Sequence, residues 1–159
     1  MAFRAVKSLI SGSTVVAPPK DNFYFEAQAA IEKGAAIKYR TDGKVNKADT
    51  EDMDVVAIAF EEAEADEDKI RGGYVTPGMV YKCPMTKANG DKAEESDIHN
   101  DVEVGRTDLQ MNADGTGVDV ETDPGTKTGP LMLLDKDTEN MVATVVFTSG
   151  ALWNTKDSS

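Results

Sequence analysis

The chain carries one order of strands and turns twice, about seventy residues apart. From Glu32 it reads EKGAAIKYRTDGK, VVAIAF and DEDKIRGGYVTPGMVYK; from Glu103 it reads EVGRTDLQMNADGTG, PLMLL and DTENMVATVVFTSGALWN. Gly34 matches Gly105, Asp42-Gly43 matches Asp114-Gly115, and the run Pro77 to Tyr81 matches Ser149 to Trp153. Side chains differ while the apolar runs and turn residues keep their order. That is what a duplicated supersecondary unit preserves when pleat and turns are its main constraints. Two copies are too few to stack as a solenoid. The expected fold is therefore all-β: a compact β-barrel or sandwich with an internal duplication, preceded by an extended N-terminal arm.

The arm is placed at 1–20, ending in the stiff Pro18-Pro19 pair. A first β repeat follows at 21–85, a polar loop at 86–101, a second repeat at 102–153 that forms one domain with the first, and a tail at 154–159. Short strands are expected at 35–40, 55–60, 69–75 and 79–83, and again at 107–111, 116–120, 131–134, 141–148 and 151–153. Glu26 to Lys33 has good helix formers and Gly34 behind them. Its partner in the second copy, Ser96 to Gly105, has no helical character, so an extended strand is favoured there over a short helix. Ile37, Val56, Ile58, Phe60, Leu131, Leu133, Val146 and Trp153 are expected to contribute to a shared or contiguous core.

A chain of 159 residues suits one domain with a real core. Its net charge of −12 excludes a nucleic-acid partner bound through phosphates. The balance is uneven: Arg4, Lys7 and Lys20 give the first twenty residues +3 with no acid, leaving −15 for the rest. Cys83 is the single cysteine, so no intrachain disulfide can form. The opening MAFRAVKSLISGSTVVA lacks the sustained apolar core of a signal peptide, and no stretch reaches the length of a membrane span. Function without a secretion step is the expectation.

Catalysis finds little support in the residues. His99 is the one histidine and sits in a polar run, Ser96 to Asp101, so it reads as a surface side chain rather than a catalytic base. Cys83, beside Pro84, reads as a small buried hydrophobe. The acids between Glu61 and Asp68 are adjacent on a strand connection, as in a solvated loop, whereas a glycosidase pair comes from separate strands in a cleft. Asn112-x-Asp114-x-Thr116, followed by Asp119 and Asp123, resembles the opening of a calcium loop, but the bidentate glutamate is missing at the twelfth position. No metal and no cofactor are expected. The aromatic residues are spread through the strands without interleaved basic residues, which disfavours a single-strand nucleic-acid module.

Four stretches of the first copy, Glu32 to Tyr39, Asp42 to Ala48, Asp54 to Ala63 and Val75 to Tyr81, resemble the small β-barrel decoration (cement) proteins of tailed-bacteriophage heads. The resemblance covers about a third of the chain, and Ala57 stands where such proteins commonly have glycine. It implies a structural protein, not an enzyme, made in the host cytoplasm. Such a protein sits as a homotrimer on the outer capsid surface at threefold or quasi-threefold positions, with the major capsid protein as partner and neither nucleic acid nor membrane. Within that reading the arm is the capsid anchor through Phe3, Arg4, Val6, Lys7, Leu9 and Ile10, and Tyr81 and Trp153 are subunit contacts. A carbohydrate-binding or adhesion module and a small hydrolase are the other classes considered. The first predicts an exposed aromatic groove, the second a polar cleft with convergent carboxylates.

Overall fold

Ten short strands make up nearly all the regular structure of the computed structural model, which describes residues 2–8, 24–126 and 128–153. They are β1 (Arg4–Ser8), β2 (Tyr24–Glu26), β3 (Ala36–Tyr39), β4 (Val45–Lys47), β5 (Ala57–Ala59), β6 (Lys69–Tyr74), β7 (Met79–Thr86), β8 (Val118–Asp119), β9 (Leu131–Asp137) and β10 (Val142–Phe147). The chain is all-β, with two sheets whose main ladders are antiparallel. Among the described residues no helix is long and apolar enough to cross a membrane.

Each sheet curls back on itself. The first runs β2-β6-β5-β3-β4, and a parallel pair of Ala27 with Val45 returns β4 to the chain just beyond β2. The second runs β1-β7-β10-β9; Leu131 at the head of β9 pairs with Leu109, Met111 pairs with Val118, and β8 lies parallel to the end of β7 through Met85–Val118 and Thr86–Asp119. Gly34 and Gly105 both have positive φ, +85° and +96°, and donate equivalent N–H bonds to Ala59 O (2.8 Å) and Leu133 O (2.7 Å). The likeness is one of hydrogen bonding and turn geometry.

β7 belongs to the second sheet, not to the first repeat in which the sequence pattern placed it. Its alternation is the reason: Tyr81, Cys83 and Met85 are buried while Lys82 is exposed, and that apolar row completes the second core. Residues 151–153 form a turn rather than the expected strand. Glu26 to Lys33 is neither a helix nor one long strand. Its amides go to distant carbonyls, Ala27 to Asp68 (2.8 Å), Gln28 to Val45 (2.9 Å) and Ile31 to Ala63 (2.8 Å), so tertiary pairing overrides local helix propensity. The 86–101 run is only partly an exposed loop, because Thr86 and Ala93 are buried.

The apolar interior divides into two clusters, one of which draws residues from both halves of the chain. Phe25, Ile31, Ile37, Val45, Val56 and Ile70 fill the first ring. Leu131 and Leu133 lie in the second cluster, which also takes in Ala36, Ala48, Val55, Ile58 and Val75 from the first sheet. Period-2 alternation explains the division: Ile37 points into its own ring and its neighbour Ala36 toward the other unit. Small residues let the backbones meet there, Ala36 N–H donating to Gly115 O at 2.8 Å.

Candidate functional site

The expected capsid anchor is in part core. Phe3 is 4 % exposed and stacks against Tyr81 and Phe147 with ring centroids 6.2 and 5.5 Å away. Arg4–Ser8 is not a free arm but β1, paired antiparallel to β7 at the edge of the second sheet. A phenylalanine with two aromatic partners is better buried than left on a tether, and it brings β1 with it. Arg4 is exposed, Val6 is half-buried and Lys7 pairs with Val80, while Leu9 and Ile10 lie outside the described residues.

The expected subunit contacts also change place. Tyr81 is 2 % exposed, and burial pushes its phenol well above the usual range, so it has no free surface to offer. Trp153 is half-buried, packed on the second cluster and against Gly150. Its segment ties the two units together: Ala151 N–H donates to Val55 O (2.9 Å) and Ser149 Oγ to Met53 O (3.0 Å).

Cys83 is fully buried, and loss of solvation raises its thiol to about 12. Little of the thiol would then be ionised at pH 8. Folded protein should leave a thiol-reactive dye uncoloured at pH 8 and release one equivalent of colour on unfolding in guanidinium. Rapid reaction of the folded chain would contradict this burial.

Glu61 and Asp68, at the two ends of the acidic run, are held by hydrogen bonds within the chain. Glu61 accepts the Arg71 N–H (2.8 Å) and its guanidinium (3.1 Å), which lowers its carboxyl, and Asp68 Oδ2 accepts the amides of Glu64 and Ala65 (2.8 and 3.1 Å). The calcium-like run is likewise consumed by its own hairpin. Asn112 is fully buried; its Oδ1 accepts the N–H groups of Asp114 (3.0 Å) and Thr116 (3.1 Å), and its Nδ2 donates to Thr86 Oγ1 (3.0 Å). Asp114 pairs with Lys47 Nζ at 2.7 Å. Those oxygens lock the Asp114-Gly115 turn instead of facing a metal.

Polar groups do converge at the loop end of the second sheet. His99 is fixed by its own N–H, which donates to Val120 O (2.8 Å), and its Nδ1 accepts the Asp101 N–H (3.1 Å). His99 Nε2 stands 4.0 Å from Asp123 Oδ2. Arg106 forks onto Asp108 at 2.7 and 3.2 Å, and that bond, with the charges of Asp101 and Asp123, raises the guanidinium further. Asp119 Oδ1 accepts the amides of Glu121 (2.9 Å) and Thr122 (3.1 Å). Sequence reading left His99 as a surface residue and did not single out Asp119 by itself. The available signal was an aspartate between Val118 and Val120 in an otherwise apolar strand.

On the first unit the exposed aromatic residues gather at one end of the strands. Tyr24 is 58 % and Tyr39 is 48 % exposed, and Tyr39 and Tyr74 flank the buried Phe25 with centroids 5.9 and 5.7 Å from it. No family model matches this chain, and no curated protein matches it either.

Proposed function

We propose that this protein is a structural capsid decoration protein: it binds the outer surface of a phage head at threefold or quasi-threefold positions, as a homotrimer, and stabilises the expanded shell. The observation that carries the reading is that most of the stretches resembling such proteins, Glu32 to Ala63, fall together on β3, β4, β5 and their turns in the first ring. Chemistry on the rest of the molecule agrees with a non-catalytic role. The thiol is buried, and of the Glu61 to Asp68 acids, Glu61 and Asp68 accept backbone amides.

The attachment edge is β1. Among the described residues it ends its sheet with an unpaired outer ladder that a capsid strand could join, and it carries Arg4 and Lys7 on a net acidic chain. Three copies on one trimer would add avidity. The test adds purified protein to expanded, undecorated heads and images them by cryo-microscopy. Density on the outer face at threefold positions and a higher disruption temperature are expected, with occupancy falling in an Arg4→Glu, Lys7→Glu double variant. No binding, or density inside the shell, would refute the reading. The exposed Tyr24 and Tyr39 favour glycan binding as the second reading, which glycan-array binding by isolated protein would establish in its place.

A further inference from the structure

We propose that the loop end of the second sheet binds a hard divalent cation, calcium by its ligand chemistry, through the carboxylates of Asp119 and Asp123. Asp119 is 2 % exposed, and among the described residues its Oδ2 is buried without a hydrogen-bond partner while Oδ1 accepts two amides. A buried carboxylate oxygen in that state is costly unless a cation or donor meets it. Asp119 and Asp123 line one narrow cleft with Gln110 and Thr122. Asp123 also belongs to a second group, with His99 and Asp101, whose ligand-capable atoms lie within 4.8 Å of one another. The two groups therefore meet at Asp123.

His99 decides the kind of metal. Its Nδ1 accepts the Asp101 N–H, so the neutral ring carries its proton on Nε2, the nitrogen that faces Asp123. A zinc or nickel ion on Nε2 would require the proton on Nδ1 and would break that hydrogen bond. Carboxylate, amide and hydroxyl oxygens remain, a ligand set for calcium. From sequence no metal is expected because the Asn112 to Asp123 run lacks the bidentate glutamate of a calcium loop, and the oxygens of Asn112 and Asp114 are indeed taken up by the hairpin and Lys47.

The experiment follows thermal unfolding of the full chain, first stripped with chelator, against added calcium chloride. At a hundredfold excess over the dissociation constant the Tm should rise by about 5 °C. Asp119→Asn can keep the acceptor for Glu121 and Thr122 but puts an amide N–H₂ where Oδ2 stood, and it should lose the rise. Asp123→Asn, in a solvent-facing turn, should weaken the response and decides the matter if Asp119→Asn does not fold. Asp114→Asn should respond like the parent. No response up to about 10 mM calcium overturns the proposal, since even weak extracellular sites bind below that. An undiminished response in both Asp119→Asn and Asp123→Asn overturns it too, as does a zinc response abolished by His99→Gln in the absence of any calcium effect.

Discussion

Phe3→Ala should lower the stability of the folded chain by about 3–5 kcal/mol, the range for emptying a buried aromatic site. The ring lies in the second cluster between Tyr81 and Phe147, which also contact each other edge-on at 5.6 Å, so its removal leaves a cavity under two large side chains that cannot both close over it. The Phe3 N–H donates to Gly34 O at 3.1 Å, which ties this end of the chain to the first unit as well. Urea unfolding followed by the fluorescence of the single Trp153 would measure the loss. A change under about 0.5 kcal/mol, as for a surface site, would restore the free-arm reading. The result also bears on capsid attachment: deleting the first residues outright would damage the body itself, so only surface variants such as Arg4→Glu test binding cleanly.

Gly129→Ala should cost about 3 kcal/mol, at the upper end of overpacking penalties, by prising open the second ring. A Cβ on Gly129 would stand 2.2 Å from Leu109 O and 2.6 Å from the Gln110 Cα, both backbone atoms with no rotamer to move. The next residues cannot yield. Pro130 O accepts both the N–H and the hydroxyl of Thr148, and Leu131 exchanges two 3.0 Å bonds with Leu109. That Leu109–Leu131 pair, with the bonds of Leu133 to Gly105 and Arg106, joins β9 to the segment leading into β8. Gly105→Ala is the comparison: its φ is +96° but its Cβ would meet nothing within 4 Å, so it should cost only the left-handed strain of about 1–2 kcal/mol. Equal costs for the two would show that contact at Gly129 is relieved by an adjustment not anticipated here. Backbone amide exchange at Leu109 and Leu131 in Gly129→Ala should quicken well beyond that in Gly105→Ala.

Much of the strand layout was legible because it depends on local alternation. The runs at 35–40, 69–75 and 141–148 correspond to β3, β6 and β10, and Asp42-Gly43 and Asp114-Gly115 are turns with glycine at positive φ. The runs at 107–111 and 116–120 were less so, being reduced to the pairs at Leu109 and Met111 and the two-residue β8. Their residues are buried by contacts across the second ring, which alternation does not encode. Of the candidate site, the nearness of Asp119 to Asp123 was visible as spacing, and the unpartnered Asp119 Oδ2 was not. A buried carboxylate and a solvated one look alike in sequence.

By itself the sequence determined the β class, the positions of the glycine turns and the acidic surface, since pleat, positive φ and charge are properties of residues and their near neighbours. Tertiary structure decided which sheet owns β7, that Phe3 and Tyr81 are core, and that His99, Asp101 and Asp123 stand together. Each of these depends on which apolar faces find one another across long stretches of chain, and a strand with two buried neighbours can be claimed by either sheet until both are built.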